Sequence, residues 1–258
     1  MKRLIYQVYV GKKSKLYDHC IASVAAYCEK HGIHHEVQRS PILMIKPDIF
    51  QTNRSKESYE KHGGFLPIFE KENAFTYLKS YDQVAIIDAD VWIRSDSPNI
   101  FDDLEPEYDF GGVVERSAPI EPWYQQKLVQ YSNMQFRNIK VDWKWNNIGA
   151  EFINMGIMVM NQKILKYLRG ETPTQFIRRP EFKAFVDGIG NWKWSTDQVL
   201  LNTWIKNENM KVKNMDWKWN GLFTANTKIK ECYFVHFFLK DKLPNRGENV
   251  DELRKIVE

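Results

Sequence analysis

Val84-Ala85-Ile86-Ile87-Asp88-Ala89-Asp90-Val91-Trp92-Ile93 decides how the rest of this sequence is read. Its apolar, β-branched run reads as a buried strand, and two carboxylates interrupt it near its end. Residues two apart in an extended chain face the same side, so Asp88 and Asp90 would present their oxygens together. Anions that close repel each other unless a cation stands between them, and a hard divalent ion such as Mg²⁺ or Mn²⁺ prefers carboxylate oxygen. Asp is also common where a strand ends in a polar turn, so the pair alone leaves both possibilities open.

Upstream, Leu4 to Val10 reads as a strand and Gly11-Lys12-Lys13-Ser14 as a turn. Leu16, Cys20, Ile21, Val24, Ala25 and Cys28 recur at helical spacing, and His31-Gly32 closes that helix. Ile33 to Val37 is the next strand. There is no Gly-x-Gly-x-x-Gly and no P-loop lysine, so the usual dinucleotide and phosphate cradles are absent from the sequence. Residues 40–64 read as a long irregular excursion of the sort that orders over a ligand. Ile68 to Leu78 reads as a helix feeding the central strand.

Downstream, Asp96-Ser97-Pro98 reads as a helix start and Phe110 to Val114 as a strand. Residues 115–151 are aromatic-rich and weakly periodic. Met155 to Met160 is another strand, followed by a helix over 162–168. Ser195-Thr196-Asp197 caps a helix to Ile205. Cys232 to Phe238 reads as a strand, and a helix near Glu248 to Val257 closes the chain. Alternating β and α segments predict a mixed, mostly parallel sheet with helices on both faces. Ligands of such sheets sit at the carboxyl ends of strands, where Asp88 and Asp90 fall.

A chain of 258 residues, 43% hydrophobic and 27% charged, fits one soluble α/β domain spanning 1–258. A net charge of +4 is too mild to single out an anionic partner. The odd set Cys20, Cys28 and Cys232 has no metal-ligand spacing and reads as buried thiols in a reducing compartment. The apolar segment after Met1-Lys2-Arg3 is too short for a signal peptide or a membrane span. A soluble cytoplasmic chain is therefore expected, with neither nucleic acid nor a membrane span among its interactions. Trp-Lys-Trp occurs three times, at Trp143, Trp192 and Trp217. Either alternate Trp residues pack on one strand face, or their rings line a sugar-binding cleft.

The order of five segments resembles nucleotide-sugar glycosyltransferases of the GT-A (Rossmann-like) fold, most of all family 8, which includes glycogenin and bacterial galactosyltransferases. The segments are Ile86-Ile87-Asp88-Ala89-Asp90, Asn154-Met155-Gly156-Ile157-Met158-Val159-Met160-Asn161, Asp197-Gln198-Val199-Leu200-Leu201-Asn202, Trp219-Asn220, and His236-Phe237-Phe238-Leu239-Lys240-Asp241-Lys242. They cover roughly residues 1–245 in the family's order. The resemblance implies transfer of a sugar from a nucleotide diphosphate donor, a UDP-sugar, to a glycan, glycolipid or protein acceptor, with retention. It implies metal ligation by Asp88, Asp90 and His236, with Mn²⁺ favoured by the imidazole and Mg²⁺ the alternative. Lys242 matches a lysine on the diphosphate, with Lys240 its competitor; the family often has glycine where this chain has Leu239. Asn154, Gly156 and Asn220 would border the donor. Asp197 and Gln198 match a catalytic pair beside the anomeric carbon, although Asp197 also suits a helix cap. Lys71 matches a sugar-binding basic residue with its register off by about one residue. Tyr9, Val10 and Tyr17 would surround the base, or the tyrosines are simply core. Residues 1–114 would form the nucleotide half, 115–245 the sugar and acceptor half, and 246–258 a terminal helix.

Two other classes compete. Asp88-Ala89-Asp90-Val91 also fits the nucleophile motif of haloacid-dehalogenase-type phosphatases, though that motif normally opens the chain and an acidic pair follows it. A non-catalytic carbohydrate-binding protein on the same scaffold would use the Trp-Lys-Trp segments.

Overall fold

A computed structural model describes residues 1–49, 53–193 and 196–257. The strands are β1 (Arg3–Val8), β2 (His34–Gln38), β3 (Gln83–Ile87), β4 (Val91–Ile93), β5 (Phe110–Val114), β6 (Ile153–Asn161), β7 (Val212–Asn214), β8 (Gly221–Leu222) and β9 (Phe234–His236). The helices are α1 (Lys15–His31), α2 (Asn53–His62), α3 (Pro122–Gln135), α4 (Leu165–Leu168), α5 (Pro173–Ile177), α6 (Lys183–Asp187), α7 (Asp197–Asn207) and α8 (Val250–Val257). Among the described residues, six strands form one sheet in the order β2-β1-β3-β6-β5-β7, and three form a second, β4-β9-β8. In the large sheet only β6 runs antiparallel to its neighbours β3 and β5; the other pairings are parallel. This is the mixed, mostly parallel sheet expected.

Residue alternation explains the layers. Leu4, Tyr6, Val84, Ile86, Met158 and Met160 point to one face, against the core that holds α7, whereas Ile5, Ala85, Ile87, Ile157 and Val159 point to the other, against Val24, Tyr27 and Cys28 of α1. Every residue of β3 and β6 is buried, which is why both read as unbroken apolar runs. Gly32 ends α1 in the left-handed conformation at φ 63°, and all three cysteines are free and buried.

The central stretch is not one strand. Val84 to Ile87 belongs to β3, but the backbone turns at Asp88-Ala89-Asp90, where Val91 N donates to Asp88 O at 3.1 Å, and β4 joins the second sheet by pairing with β9. Period-two spacing therefore does not bring the carboxylates together; a turn between two sheets does. Other expectations change too. The 40–64 excursion contains α2, with residues 50–52 outside the described residues, and its first part is tied down by buried Glu70. That carboxylate accepts from the backbone N–H groups of Ile42, Leu43 and Met44 at 2.7–3.0 Å. Pro67–Lys79 is a run of 3-10 turns. Asp96-Ser97-Pro98 leads only to one 3-10 turn, Ile100–Asp103, capped by Asn99. A 3-10 turn, Gln162–Ile164, precedes α4. The last strand, β9, has three residues rather than seven. Residues 115–151 contain α3, whose periodicity was masked by the Gln, Tyr and Trp side chains it carries.

Candidate active site

Where β3 gives way to β4, and β9 runs antiparallel beside β4, three metal-competent side chains converge. One ligand atom each from Asp88, Asp90 and His236 lie within 4.8 Å of one another. His236 Nε2 is 3.3 Å from Asp90 Oδ1 and 3.8 Å from Asp88 Oδ2. Donors sharing an octahedral ion at about 2.1 Å lie about 3 Å apart in cis, so this set of two carboxylates and one imidazole fits a hard or borderline divalent ion. Burial disfavours charge on all three groups. It pushes the Asp88 carboxyl up despite the Lys71 ammonium. At Asp90 the neighbouring His236 outweighs burial and holds the carboxyl down. In turn, Asp90 and Asp88 outweigh burial at His236 and raise the imidazole. Gly156 on β6 makes the triad possible: a Cβ there would come within 2.3 Å of His236 Cε1 and 2.6 Å of Nδ1.

The expected residues gather around one cavity of about 640 Å³, lined by Lys71, Asp88, Asn154, Gly156, Asp197, Gln198 and His236 among others. At its floor the buried Lys71 ammonium lies 2.8 Å from Asp88 Oδ1 and 2.6 Å from Asp197 Oδ2, and donates to Met155 O at 3.1 Å. Burial works against this ammonium, but the two carboxylates more than offset it and raise it. Lys71 lies in the 3-10 run Pro67–Lys79 and lines the cavity. Asp197 is 2% exposed at the start of α7, yet it does not cap that helix; Thr196 does, accepting from Gln198 N at 3.2 Å. Ser195 lies outside the described residues. Gln198 is held from both ends, accepting from Met155 N and donating to Tyr131 OH, each at 3.3 Å. Asn220 donates to Asn154 Oδ1 at 2.9 Å and faces His236 Nδ1 at 3.3 Å.

Asp90 and Asn220 do not themselves line the cavity, and neither do Tyr9, Val10, Tyr17 and Lys242. Tyr9 is buried, with its ring edge-on to Tyr17 at 5.3 Å and under the Arg39 guanidinium at 4.7 Å. Val10 is half-buried just past β1. Burial raises the Tyr17 phenol, and Asp90 and Asp88 add to that rise, so its hydroxyl lies within the field of the aspartate pair. Lys242 is exposed and rests 3.3 Å from the centre of the Trp123 ring. Lys240 is tied to Ser14 Oγ and Glu248 Oε1, both at 3.2 Å. Leu239, where the resembling family often has glycine, adopts the left-handed conformation glycine favours, at φ 57°. The backbone keeps the glycine shape and accepts the strain of a side chain.

Sequence reasoning missed the cavity's other wall: Glu115, Tyr124, Tyr131 and Phe238. Glu115 had a signal, because it ends the apolar run Phe110 to Val114 as Asp88 ends Val84 to Ile87. Among the described residues the Trp-Lys-Trp segments form neither a strand face nor the cleft. Trp143 and Trp219 are in the core, Trp145 is exposed, Trp194 is outside the described residues, and no described tryptophan lines the cavity. Among the described residues no helix is long and apolar enough to cross a membrane.

No protein-family model and no curated protein matches the sequence. Solved structures match in shape. A glycosyltransferase involved in the glycosylation of the major capsid of PBCV-1 superposes with a TM-score of 0.50 at 15% identity, over 98% of this chain and 100% of that one. The bifunctional glycosyltransferase WbbM matches with a TM-score of 0.50 at 12% identity, over 92% of this chain and 46% of that one. The galactosyltransferase LgtC in complex with donor and acceptor sugar analogs gives 0.48 at 14% identity, over 98% and 95%. The chain has the GT-A fold of glycosyltransferases.

Proposed function

We propose that this protein is a metal-dependent glycosyltransferase, transferring a sugar from a UDP-sugar to a hydroxyl acceptor with retention. The observation that carries the proposal is the meeting, in one cavity of a GT-A fold, of the Asp88–Asp90–His236 triad with the buried Lys71–Asp197 pair. The triad would hold the ion, Mn²⁺ before Mg²⁺ because imidazole is among the donors. Such an ion, when bound, neutralises the diphosphate and stabilises its charge as it departs.

The chain's own groups supply the rest. Lys71 neutralises Asp88 and Asp197 and fixes both at the cavity floor. Asp197 offers negative charge to an anomeric carbon turning cationic, and Gln198, restrained at both ends, presents its amide beside it. Asn154, Gly156 and Asn220 border the sugar, with Gly156 allowing close backbone approach. Tyr9, Val10 and Tyr17 flank the aspartate turn on the nucleotide side. Lys242 would leave Trp123 to meet the diphosphate; the Ser14 and Glu248 bonds of Lys240 favour Lys242 for that task. The acceptor proton goes to the departing phosphate oxygen, so no separate base is required. Residues 1–258 would act as one unit, with 1–114 holding the nucleotide and 115–245 the sugar and acceptor. The phosphatase alternative expects its aspartate pair at the chain's opening strand, whereas here the pair follows β3 of a fold shared with glycosyltransferases.

The test is a panel of UDP-sugars with purified protein, following both the melting temperature and UDP release. One donor should raise the melting temperature and be slowly hydrolysed with Mn²⁺, and both effects should vanish with chelator or in Asp90→Ala. Glycan binding on an array, with no metal-dependent response to any nucleotide sugar, would replace this proposal with the carbohydrate-binding one.

A further inference from the structure

A second cavity, of about 430 Å³, lies between the start of β6, the end of α7 and β7, and shares no lining residue with the first. Its volume is within the span of about 300–1,000 Å³ usual for small-molecule sites. The floor is aliphatic, formed by Ile153, Ile205, Met210 and Val212. Phe152 adds almost no ring surface, because it is 2% exposed and packed against Phe136 and Tyr131 at 4.9 and 5.6 Å. Asn202 holds the floor in shape, accepting from Ile153 N at 2.8 Å and donating to Ile153 O at 2.9 Å.

The rim is charged. Glu151 Oε1 lies 3.3 Å from Lys206 Nζ and 3.5 Å from Lys144 Nζ, and Oε2 lies 3.4 Å from Arg116. Among the described residues these cations have no other carboxylate within ion-pair distance, so one negative charge serves three positive ones. A charge-assisted N–H···O bond is about 2.7–2.9 Å long, so none of the three contacts is tight. Arg116 is otherwise spent on the backbone, donating to Lys144 O at 2.8 Å and Gly149 O at 2.6 Å. The two ammonium groups are left to the cavity. Asn214 Oδ1 accepts from Val114 N at 3.1 Å, which leaves its amino group as a further donor on the rim. The last carbonyls of α7 would repel an anion, but those of Trp204, Ile205 and Lys206 are already taken by the N–H groups of Glu208, Met210 and Asn209.

We infer that this cavity binds a small anionic sugar, either a sugar phosphate or a sugar acid. The sugar's C–H face lies on the aliphatic floor, and its phosphate or carboxylate bridges Lys144 and Lys206. That anion supplies the charge Glu151 alone does not. A nucleobase would ask for an exposed ring to stack on, and the amides of Asn209 and Asn214 suit hydroxyls rather than a bare alkyl chain. The inference stands apart from the proposed function, since no group of the first cavity enters it.

The test is ¹H–¹³C methyl spectroscopy of metal-free protein labelled at its methionine methyls, titrated with glucose-6-phosphate and with glucuronate. Met210 reports on this cavity, Met134 and Met155 on the first, and each is assigned by its replacement with leucine. At least one ligand should shift Met210 saturably and leave Met134 and Met155 in place. Lys206→Gln and Lys144→Gln should each weaken that binding by about tenfold, the loss of one charged contact. Glucose should bind at least as weakly as these variants bind the anion. Lys144 is 63% exposed in its side chain, so Lys144→Gln carries the test alone should Lys206→Gln not fold. An unmoved Met210 at millimolar ligand, shifts confined to Met134 and Met155, or unchanged affinity in the lysine variants overturns the inference. Inorganic phosphate or hexanoate binding as tightly as the sugar ligands would overturn the sugar assignment.

Discussion

Replacing Gly156 with alanine should cost the protein the proposed metal site while leaving it folded. Carbon contacts settle at about 3.5 Å, and the added Cβ would start 2.3 Å from His236 Cε1, so the imidazole must retreat by about 1.2 Å. That exceeds by several-fold the roughly 0.2 Å tolerance of a metal–ligand distance. The same methyl meets Asn154 Oδ1 at 3.1 Å, which closes the easiest direction of escape. Losing one of three protein ligands should weaken Mn²⁺ binding by about 100-fold, roughly 3 kcal/mol. Overpacking should take about 1–3 kcal/mol from stability. Isothermal titration with Mn²⁺ reads the first effect and urea unfolding the second. A double-mutant cycle isolates the cause: in a His236→Ala background, Gly156→Ala should weaken metal binding no further. Wild-type Mn²⁺ affinity in the single mutant would refute the steric reasoning. An undiminished extra loss in the His236→Ala background would show that the methyl acts elsewhere.

Lys71→Met strands two carboxylates at the cavity floor and should destabilise by about 3 kcal/mol; adding Asp197→Asn should recover part of this in urea unfolding, and no recovery would deny the pairing. His35 is depressed to about 4, by burial first and then by His34 and Arg39. Its native state therefore resists protonation, so stability should fall as pH drops from 6.5 towards 4, by at most about 3 kcal/mol and less with partial solvation; His35→Gln should flatten that slope of the urea midpoint. Lys242→Ala should slow transfer at an unchanged melting temperature, whereas Lys240→Ala, which cuts the Ser14 and Glu248 bonds, should lower the melting temperature by a few degrees; the opposite assignment would exchange their proposed roles.

The layers were legible because buried strands in a mostly parallel sheet are apolar on both faces, and β3, β5 and β6 announce themselves as such runs. The turn at Ala89 was not. The same β-branched residues continue past it, and only the pairing of β4 with β9, about 140 residues later in the chain, shows that a second sheet begins there. Motif order singled out Asp88, Asp90 and His236, which the fold brings together, and Asp197, whose expected capping role belongs to Thr196. Glu115 carried the same strand-ending signal as Asp88, but no spacing rule could connect it to Asn154, from whose side-chain amide it accepts at 2.8 Å. Lys71 could be placed only once the 3-10 geometry of Pro67–Lys79 was known, because at three residues per turn a side chain faces a different way than on an α-helix.

The split of the central stretch has a mechanical consequence. Asp88 hangs from the end of the six-stranded sheet, while Asp90 and His236 belong to the margin of the three-stranded one. An ion gripped by all three would act as a rivet through two plates, so its loss should loosen the joint between them before either plate comes apart. Hydrogen exchange should then quicken first along β4 and β9, with β3 and β6 unaffected.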